Sequence, residues 1–536
     1  MNSSVDLVTF SVLTILFVIV TLALGWYGYK NTKNNDEYLL GRNKTNALII
    51  ALSYGATFLS ASAVIGFGGQ SAVHGATMMW LCFLNLAVGV IVAFIVFGKR
   101  TRRVGRKLGA STFADLLGKI YKSRNIRLFT AILIIVMMPI YCAAVLKGGV
   151  NSLAVITGLD YNLMLIALSI VVGIYVVYGG IIAVMYNDAL QAVIMFVGMI
   201  IIFIVTIGVV GIDGFEKLSA IPISAAVGTL PGFNGWTEFP DFASPEWLTL
   251  VTTFILGVGI GALTQPQLAV RYMSAKDDKT LTKSMAIGSI FILVIVGSAY
   301  TVGVLSNVYF WDISNHMHVA ASYVTSGVDF IIPTYIMEVF HGMTFGDLFV
   351  SLFLLSLLCA SISTISALMH TIGAAGGYDA YSVFRSKKSG KDEDVKSIKV
   401  NRIVTVVMLV LVVVYCYIMP SDIIAKATSV FMGMTAAALL PAYVHGLYSK
   451  NPRKDAAVAS IVAGTSTYLF WALFINKGTS IFLPICELLT GNAVLFTGSV
   501  MYVDALIVAL PVSIIVMALV LWLKKSSVET DSSVAQ

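Results

Sequence analysis

Long apolar stretches alternate with short polar ones along almost the whole chain. A helix needs about 20 apolar residues to cross the hydrocarbon core of a bilayer. The candidate spans lie at 7–28, 46–72, 75–98, 127–157, 160–184, 187–211, 246–272, 283–308, 346–375, 402–418, 423–447, 455–475 and 500–523. They lack the alternation of a lipid-exposed barrel. We therefore predict an all-α membrane protein with about 13 transmembrane helices in a single integral membrane domain over residues 1–536.

The composition leads to the same class of protein. Hydrophobic residues make up 58% of the chain and charged residues only 11%, with a mean hydropathy of +0.90. A soluble protein carries about a quarter charged residues. This much apolar surface exceeds what one core can bury, so we expect lipid to be the solvent and the bilayer to be the main partner.

The distribution of basic residues predicts an orientation. No basic segment precedes the first apolar run, which favours a first helix with its N-terminus outside over a cleaved signal peptide. If thirteen helices then alternate, the inside segments are 29–45, 99–127, 271–283, 385–402, 449–454 and the C-terminal tail. They hold 30 of the 34 Lys and Arg residues, as the positive-inside rule requires. With this orientation the C-terminus is cytoplasmic, and we expect the protein to reside in the cell membrane. The basic stretch 99–127 is interpreted as a cytoplasmic loop facing anionic lipid, and not as a nucleic-acid patch.

The reactive side chains give no sign of an enzyme. The five cysteines are scattered singly, and the six histidines are dispersed, with His316 and His318 in an outside loop. No Cys/His cluster supports zinc or a disulfide framework. The phosphate-binding pattern GxxxxGK[ST] does not occur, no bond-making motif is present, and no obligate protein partner is evident.

Two spans contain glycine-rich interruptions at comparable places, ASAVIGFGGQSA at 61–72 and LGVGIGALTQPQ at 256–267. Glycine loosens a helix, and Pro266 removes a backbone donor. Paired interruptions of this kind are typical of a transporter site at the membrane midplane, although glycines also serve close helix packing. The interruptions are five spans apart. This predicts a first repeat at 46–211, a second at 246–447, and peripheral helices in 1–45 and 448–536.

The stretch LLCASISTISALMH at 357–370 places four hydroxyls within a long apolar span. Such hydroxyls bond carbonyls of their own helix, or hold neighbouring helices together for about 0.6 kcal/mol each. A third interpretation is a site for a small cation. Ala360, Ser363 and Thr364 share one helical face, and free carbonyls from an interrupted helix would complete a set of uncharged oxygens.

Several motifs resemble the sodium:solute symporters, which include proline, pantothenate, sialic acid and sugar cotransporters. They occur in order over nearly the whole chain. The matching motifs are DEYLLGRN at 36–43, GATFLSASAVIGFGG at 55–69, IYCA at 140–143, YGG followed by NDALQ within 178–191, TQPQLAVRYMSAKD at 264–277, and the AxxST pattern of Ala360, Ser363 and Thr364. The resemblance implies thirteen helices, N-terminus out and C-terminus in, and a five-plus-five inverted repeat with helices 2 and 7 broken.

The resemblance also implies particular site residues. Carried over by position, the sodium ligands are the carbonyls of Ala56, Leu59 and Ala360 and the hydroxyls of Ser363 and Thr364. Asp188 falls where the family has an acidic residue linked to ion passage, or it is a charge favoured by a helix N-terminus. The residues expected near the substrate are Ser62, Tyr141, Val258, Ala262, Gln265 and Pro266. Small residues at 62, 258 and 262 stand where proline carriers have large aromatic ones.

Lys147 is a charged residue within the fourth span. Intramembrane charges are functional candidates, so it is a counter-ion for a substrate carboxylate or a side chain that reaches toward the outer headgroups. A third interpretation, that its ammonium replaces an ion and makes transport proton-coupled, is disfavoured by the intact Ser363 and Thr364. Taken together, the expected function is sodium-driven uptake of an amino acid or a carboxylate such as a proline- or pantothenate-like compound. Proton coupling, a transporter-like ligand sensor and a passive channel are the alternatives.

Overall fold

The computed structural model describes residues 6–41, 45–384, 392–420, 424–480 and 484–534, with all their side chains except those of 384, 392–397 and 524–534. Within these ranges the chain is helical, with an isolated bridge between Thr45 and Ala275 and no β-strand. The first helices are α1 (Leu7–Asn31), α2 (Asn35–Leu40), α3 (Ala47–Phe58), α4 (Phe67–His74), α5 (Met79–Leu86), α6 (Lys99–Leu108), α7 (Phe113–Ile120), α8 (Arg124–Thr157), α9 (Tyr161–Val210), α10 (Gly214–Ser219), α11 (Pro245–Trp247) and α12 (Gly257–Gly261). The others are α13 (Pro266–Ser274), α14 (Asp278–Ile313), α15 (Ala320–Tyr323), α16 (Ile331–Phe340), α17 (Gly346–Ala374), α18 (Tyr381–Phe384), α19 (Asp392–Ile418), α20 (Ile424–Tyr448), α21 (Lys454–Phe474), α22 (Lys477–Ser480), α23 (Ile485–Thr490) and α24 (Ala505–Val534).

Eleven helical segments in the described part of the chain are long and apolar enough to cross a membrane. The difference from the thirteen predicted stretches has two sources. The segment Ser62–Leu108 runs through the third predicted span and the end of the second, while α3, with 12 residues, is too short to count alone. The 50-residue α9 covers the fifth and sixth predicted spans.

A kink divides α9 at Gly180, which has φ 59° and ψ −158°. Only glycine adopts this conformation readily, and a Cβ there would lie 2.8 Å from the Tyr38 ring. The four carbonyls before the kink accept hydrogen bonds from outside the helix, donated by the Tyr38 hydroxyl, the Arg402 guanidinium and the Thr32 hydroxyl. Such carbonyls are typical of a helix end, so α9 behaves as two helices joined at Gly180.

The first interruption lies between α3 and the helical turns at Ser62–Gly66. Leu59 leaves the helix with φ −95° and ψ 79°. The Ser60 hydroxyl accepts a hydrogen bond from the Ser62 amide at 3.0 Å. A serine side chain therefore restarts the helix, as a capping residue does.

The glycines that were expected to loosen this helix do not lie at the break. Gly66, Gly68 and Gly69 follow it, within helical turns. A Cβ on Gly69 would lie 2.3 Å from the Val328 carbonyl oxygen, and one on Gly303 would lie 2.0 Å from that of Gly68. For these glycines the packing interpretation is correct, because only a missing side chain allows such close approach of two backbones.

The second interruption follows a tight turn at Ala262–Thr264. Gln265 is extended, with φ −71° and ψ 116°, and Pro266 begins α13. The residue before a proline is pushed out of the helical region, and proline suits the first position of a new helix. This break lies inside the glycine-rich stretch 256–267.

The basic stretch 99–127 is not the loop we expected. It forms α6 and α7, which are separated by Gly109 in the left-handed region and by Thr112, whose hydroxyl caps α7. Some of its charges contact protein, since Arg102 donates to the Asp278 carboxylate at 2.7 Å and to the Lys276 carbonyl at 2.7 Å. Lipid is therefore not the partner of every basic residue in this stretch.

The centre of the bundle is formed by α17 and α20. In the most apolar part of each span, 83% of the residues are buried for the span that contains α17 and 89% for α20. The corresponding values are 17% for α1 and 22% for Ala505–Leu523. Burial of α17 on all sides means that its hydroxyls face other helices, and the interrupted chain at Leu59 is one of these neighbours.

Candidate functional site

The end of α3 meets the middle of α17. The Ser363 hydroxyl oxygen lies 3.0 Å from the Ala56 carbonyl oxygen and 3.2 Å from that of Ala360. The Thr364 hydroxyl lies 3.5 Å from the Ala56 carbonyl and 3.3 Å from that of Thr57. The last carbonyls of a helix have no partner in their own helix, so the break at Leu59 leaves these oxygens for α17.

This cluster contains oxygens that carry no formal charge. Carbonyls of interrupted helices are the groups that replace the water shell of a monovalent cation in membrane proteins. Four of the five predicted ion ligands are thus brought together, and the fifth, Leu59, directly follows the end of α3. In the part of the chain that is described, no group of His, Cys, Asp or Glu residues is suited to a transition metal.

The other hydroxyls of the same stretch behave differently. Ser361 donates to the Leu357 carbonyl of its own helix at 3.1 Å, and Ser366 donates to that of Ser363 at 2.9 Å. For these two residues bonding within the helix accounts for much of the hydroxyl's role. Ser363 and Thr364 differ because their hydroxyls contact carbonyls at the interrupted end of α3.

A second polar group lies on the other side of the first break. The Tyr141 hydroxyl is 3.3 Å from the Ser60 hydroxyl, and its ring stacks on Phe431 with centroids 5.3 Å apart. The Ser62 hydroxyl accepts from that of Thr428 at 2.7 Å. All five side chains are buried.

Four predicted substrate residues lie around the second break, including Pro266, which begins α13. Val258 and Ala262 are buried, and the Gln265 amide donates to the Gly261 carbonyl at 2.8 Å and to the Thr435 hydroxyl at 2.9 Å. Thr435 and Thr428 are seven residues apart on α20, and hence on one face, about 10 Å along the helix. This face of α20 therefore contacts both breaks.

The residues of α20 were not predicted from the sequence. Thr428 and Thr435 lie within the apolar span 423–447, and hydroxyls within an apolar span were the signal that identified α17. The same signal was available here, but no motif of the resembling family drew attention to it.

Lys147 lies apart from the polar group around Tyr141. Its amine donates to the Met419 carbonyl at the end of α19. It follows Tyr141 by six residues, which is about 9 Å along α8 and on a different face. The structure thus gives Lys147 a backbone partner and does not bring it to the other predicted substrate residues.

Asp188 forms a buried ion pair. Its carboxylate lies 2.9 Å from the Arg271 guanidinium and accepts from the Ser53 hydroxyl at 2.7 Å and the Thr57 hydroxyl at 3.2 Å. Asp188 follows Gly180 by eight residues, so it lies beyond the first turn, where the helix dipole acts. The helix-terminus interpretation of this residue is therefore wrong.

Arg271 was expected among the inside loop charges at 271–283, yet both members of this pair are fully buried. The pair adjoins the cluster on α17, since Thr57 contacts Asp188 through its hydroxyl and Thr364 through its carbonyl. Ser366 also lies 3.4 Å from the Asp188 carboxylate. A neutral oxygen cluster and a charge pair are thus adjacent.

These features define a class of protein. The chain is a multi-pass helical membrane protein with uncharged polar groups gathered where two helices are interrupted. This combination is typical of secondary transporters. A model of the sodium:solute symporter family matches residues 38–464. The chain belongs to the sodium:solute symporter family.

Curated relatives include transporters of known substrate. The chain is 25% identical over 475 residues to sodium/proline symporter 2 of Staphylococcus saprophyticus, covering 88% of this chain and 87% of the relative. It is 26% identical over 462 residues to the osmoregulated proline transporter OpuE of Bacillus subtilis, with 85% and 87% covered. As expected, the relatives are transporters and not enzymes.

A solved structure has the same fold. It is the substrate-bound outward-open state of a Na⁺-coupled sialic acid symporter, which matches with a TM-score of 0.73 at 17% identity, over 95% of this chain and 96% of that one. The expected membrane fold is thus supported at the level of architecture.

Proposed function

We propose that this protein is a sodium-coupled symporter that takes up a small organic solute, an amino acid or a carboxylate such as a proline- or pantothenate-like compound. The observation that carries the proposal is the contact of the Ser363 and Thr364 hydroxyls with carbonyls at the interrupted end of α3. The similarity to the sodium:solute symporter family, and to relatives named as proline transporters, supports the proposed class of solute and the proposed coupling ion.

Sodium is bound in this proposal by the carbonyls of Ala56, Leu59 and Ala360 and the hydroxyls of Ser363 and Thr364. The ion joins α3 to α17, and its loss lets the two move apart. A unit charge crossing 100 mV yields about 2.3 kcal/mol, and a tenfold gradient adds about 1.4 kcal/mol. One sodium ion per cycle then concentrates a neutral solute several hundred-fold.

Asp188 serves the passage of the ion toward the cytoplasm in this proposal. Thr57 and Ser366 contact both Asp188 and the ion cluster, and Arg271 forms an ion pair with Asp188. A sodium ion that leaves Ser363 meets the carboxylate next, where it competes with the guanidinium.

The solute pocket is assigned to the region between the two breaks. Ser62 and Tyr141 provide hydroxyls at the first break, Gln265 provides an amide at the second, and Val258 and Ala262 form a small apolar wall. Lys147 is left outside the pocket because its amine bonds a backbone carbonyl on α19.

The topology completes the proposal. Dividing α9 at Gly180, and counting α3 with α4 as one interrupted span, brings the count to thirteen spans. We assign the N-terminus to the outside and the C-terminus to the cytoplasm from the distribution of basic residues. The repeats then occupy 46–211 and 246–447, and residues 1–45 and 448–536 form peripheral helices. Low burial of α1 and of the last span agrees with a peripheral place.

Uptake into proteoliposomes tests the coupling ion. Purified protein is reconstituted and screened with radiolabelled amino acids and carboxylates under an inward sodium gradient, an inward proton gradient, or neither. We expect uptake only with sodium. Uptake that follows the proton gradient and ignores sodium would contradict the proposal and favour the proton-coupled alternative.

Substitutions on α17 test the ion site. Ser363→Ala and Thr364→Ala each remove one oxygen ligand, and we expect the sodium concentration for half-maximal uptake to rise about tenfold, equivalent to about 1.4 kcal/mol. Ser361→Ala is the matched control, because Ser361 bonds its own helix and lies outside the cluster. If all three variants keep the sodium dependence of the wild type, the site is wrongly assigned.

A further inference from the structure

A groove of about 530 Å³ opens between α1 and the first half of α9. Its wall consists of Leu22, Gly25, Trp26, Tyr29, Ile174, Tyr175 and Tyr178. Gly25 lets α1 approach α9 closely beneath the groove, since a Cβ there would lie 2.7 Å from that of Tyr175. Trp26 and Tyr178 are more than half exposed, so the groove opens away from the bundle, toward the lipid.

The two ends of the groove differ in chemistry. Gly25 packs on Tyr175, and Tyr29 lies edge-on to Tyr178 with ring centroids 6.3 Å apart, so the two helices run side by side in the same direction. Leu22 and Ile174 therefore form an apolar end. Tyr29 and Tyr178 form the opposite end, about 10 Å further along α1 and about 6 Å further along α9.

Two cations lie at the tyrosine end. The Lys30 amine is 5.3 Å from the centroid of the Trp26 ring, and the Arg402 guanidinium carbon is 5.5 Å from that of Tyr178. Both rings are part of the groove wall, so both charges lie at its edge. An apolar channel that ends between two cations complements a molecule with a hydrocarbon tail and an anionic head.

We propose that this groove binds one phospholipid with an anionic headgroup, its acyl chain against Leu22 and Ile174 and its phosphate between Lys30 and Arg402. Basic pockets between membrane helices bind anionic headgroups by charge, and each basic residue adds a similar increment. Aromatic belts also occur at membrane interfaces without lipid specificity. The groove differs from a belt because it is a defined cavity between two closely packed helices, with Lys30 and Arg402 against its wall rings.

Native mass spectrometry of the purified full chain tests the site. Phosphatidylglycerol and phosphatidylcholine with identical acyl chains are titrated onto delipidated protein. We expect one phosphatidylglycerol to bind at least five-fold more tightly than phosphatidylcholine, and Lys30→Gln to weaken it about five-fold. Lys283→Gln removes an equally exposed charge at the start of α14 and should leave binding unchanged.

A second variant tests the groove without changing charge. Leu22→Trp fills the apolar end and should reduce phosphatidylglycerol binding, while Lys30, Arg402 and solute uptake remain intact. Equal affinity for the two lipids would overturn the proposal, as would equal losses from Lys30→Gln and Lys283→Gln. The proposal would also be overturned if the protein formed a dimer without lipid and Leu22→Trp dissociated that dimer. A second copy of the chain would then occupy the groove.

Discussion

Arg271 shows that the location of a charged residue is difficult to predict when its ion-pair partner is distant in the sequence. It follows an interrupted helix and precedes the polar stretch SAKDDK, so it was counted as a loop residue. Its partner Asp188 is 83 residues away, and no local pattern connects the two. Asp188 itself was recognised by resemblance, but its environment of hydroxyls and a guanidinium appeared only with the fold.

Removing Arg271 should destabilise the protein strongly. Arg271→Met leaves the Asp188 carboxylate buried without a counter-charge, and breaking such a pair costs about 3–5 kcal/mol. We expect a clearly lower midpoint of thermal unfolding in detergent. Arg271→Met combined with Asp188→Leu should recover most of the loss, because two apolar side chains need no counter-charge.

The control for this experiment is an ion pair at the surface. Arg453 and Asp455 lie 3.1 Å apart with side chains about one-third exposed, and such pairs contribute little. Arg453→Met should therefore leave the unfolding midpoint almost unchanged. An Arg271→Met protein as stable as Arg453→Met would contradict the buried pair described here.

At the scale of whole helices, the kink in α9 is the feature that the sequence did not predict. The sequence predicted two spans here, at 160–184 and 187–211, and the non-helical backbone at Gly180 divides α9 into two helices. The pattern of apolar residues shows where spans lie. It does not show whether a chain turns or kinks between them, because that depends on backbone conformation and on partners such as Tyr38 and Arg402.

Replacing Gly180 should be costly. Gly180→Ala forces a side chain into a positive-φ conformation and against the Tyr38 ring, and such strain costs about 1–3 kcal/mol. We expect a lower unfolding midpoint and reduced uptake. Gly208→Ala is the control in the same helix, since a Cβ there meets nothing within 4 Å. Equal stability of the two variants would show that the kink does not require glycine.

The two helix interruptions show which features of a broken helix can be predicted from sequence and which cannot. Glycine and proline content indicated both regions, and Pro266 begins a helix as its chemistry predicts. At the first region the break precedes the glycines, since Ser60 restarts the helix and the glycines pack against neighbours. Whether a glycine loosens a helix or admits a neighbour depends on what lies opposite, which a single sequence does not reveal.

Across the whole molecule, the membrane architecture was the most predictable property. Hydropathy alone identified the helical class, and the AxxST motif identified the face of α17 that meets Ala56. The contribution of α20 was not predicted. Thr428 and Thr435 are hydroxyls in an apolar span, as on α17, but only the fold shows that both breaks pack against this helix. The partner of Lys147 was not predicted either, because the Met419 carbonyl lies 272 residues further along the chain.

The central claim is that a sodium ion is held by uncharged oxygens where the end of α3 meets Ser363 and Thr364. Equilibrium binding of radioactive sodium to purified protein, without any solute, measures this directly. We predict saturable binding by the wild type and by Ser361→Ala, and its loss in the double variant Ser363→Ala/Thr364→Ala. Sodium binding by the double variant with wild-type affinity would contradict the account.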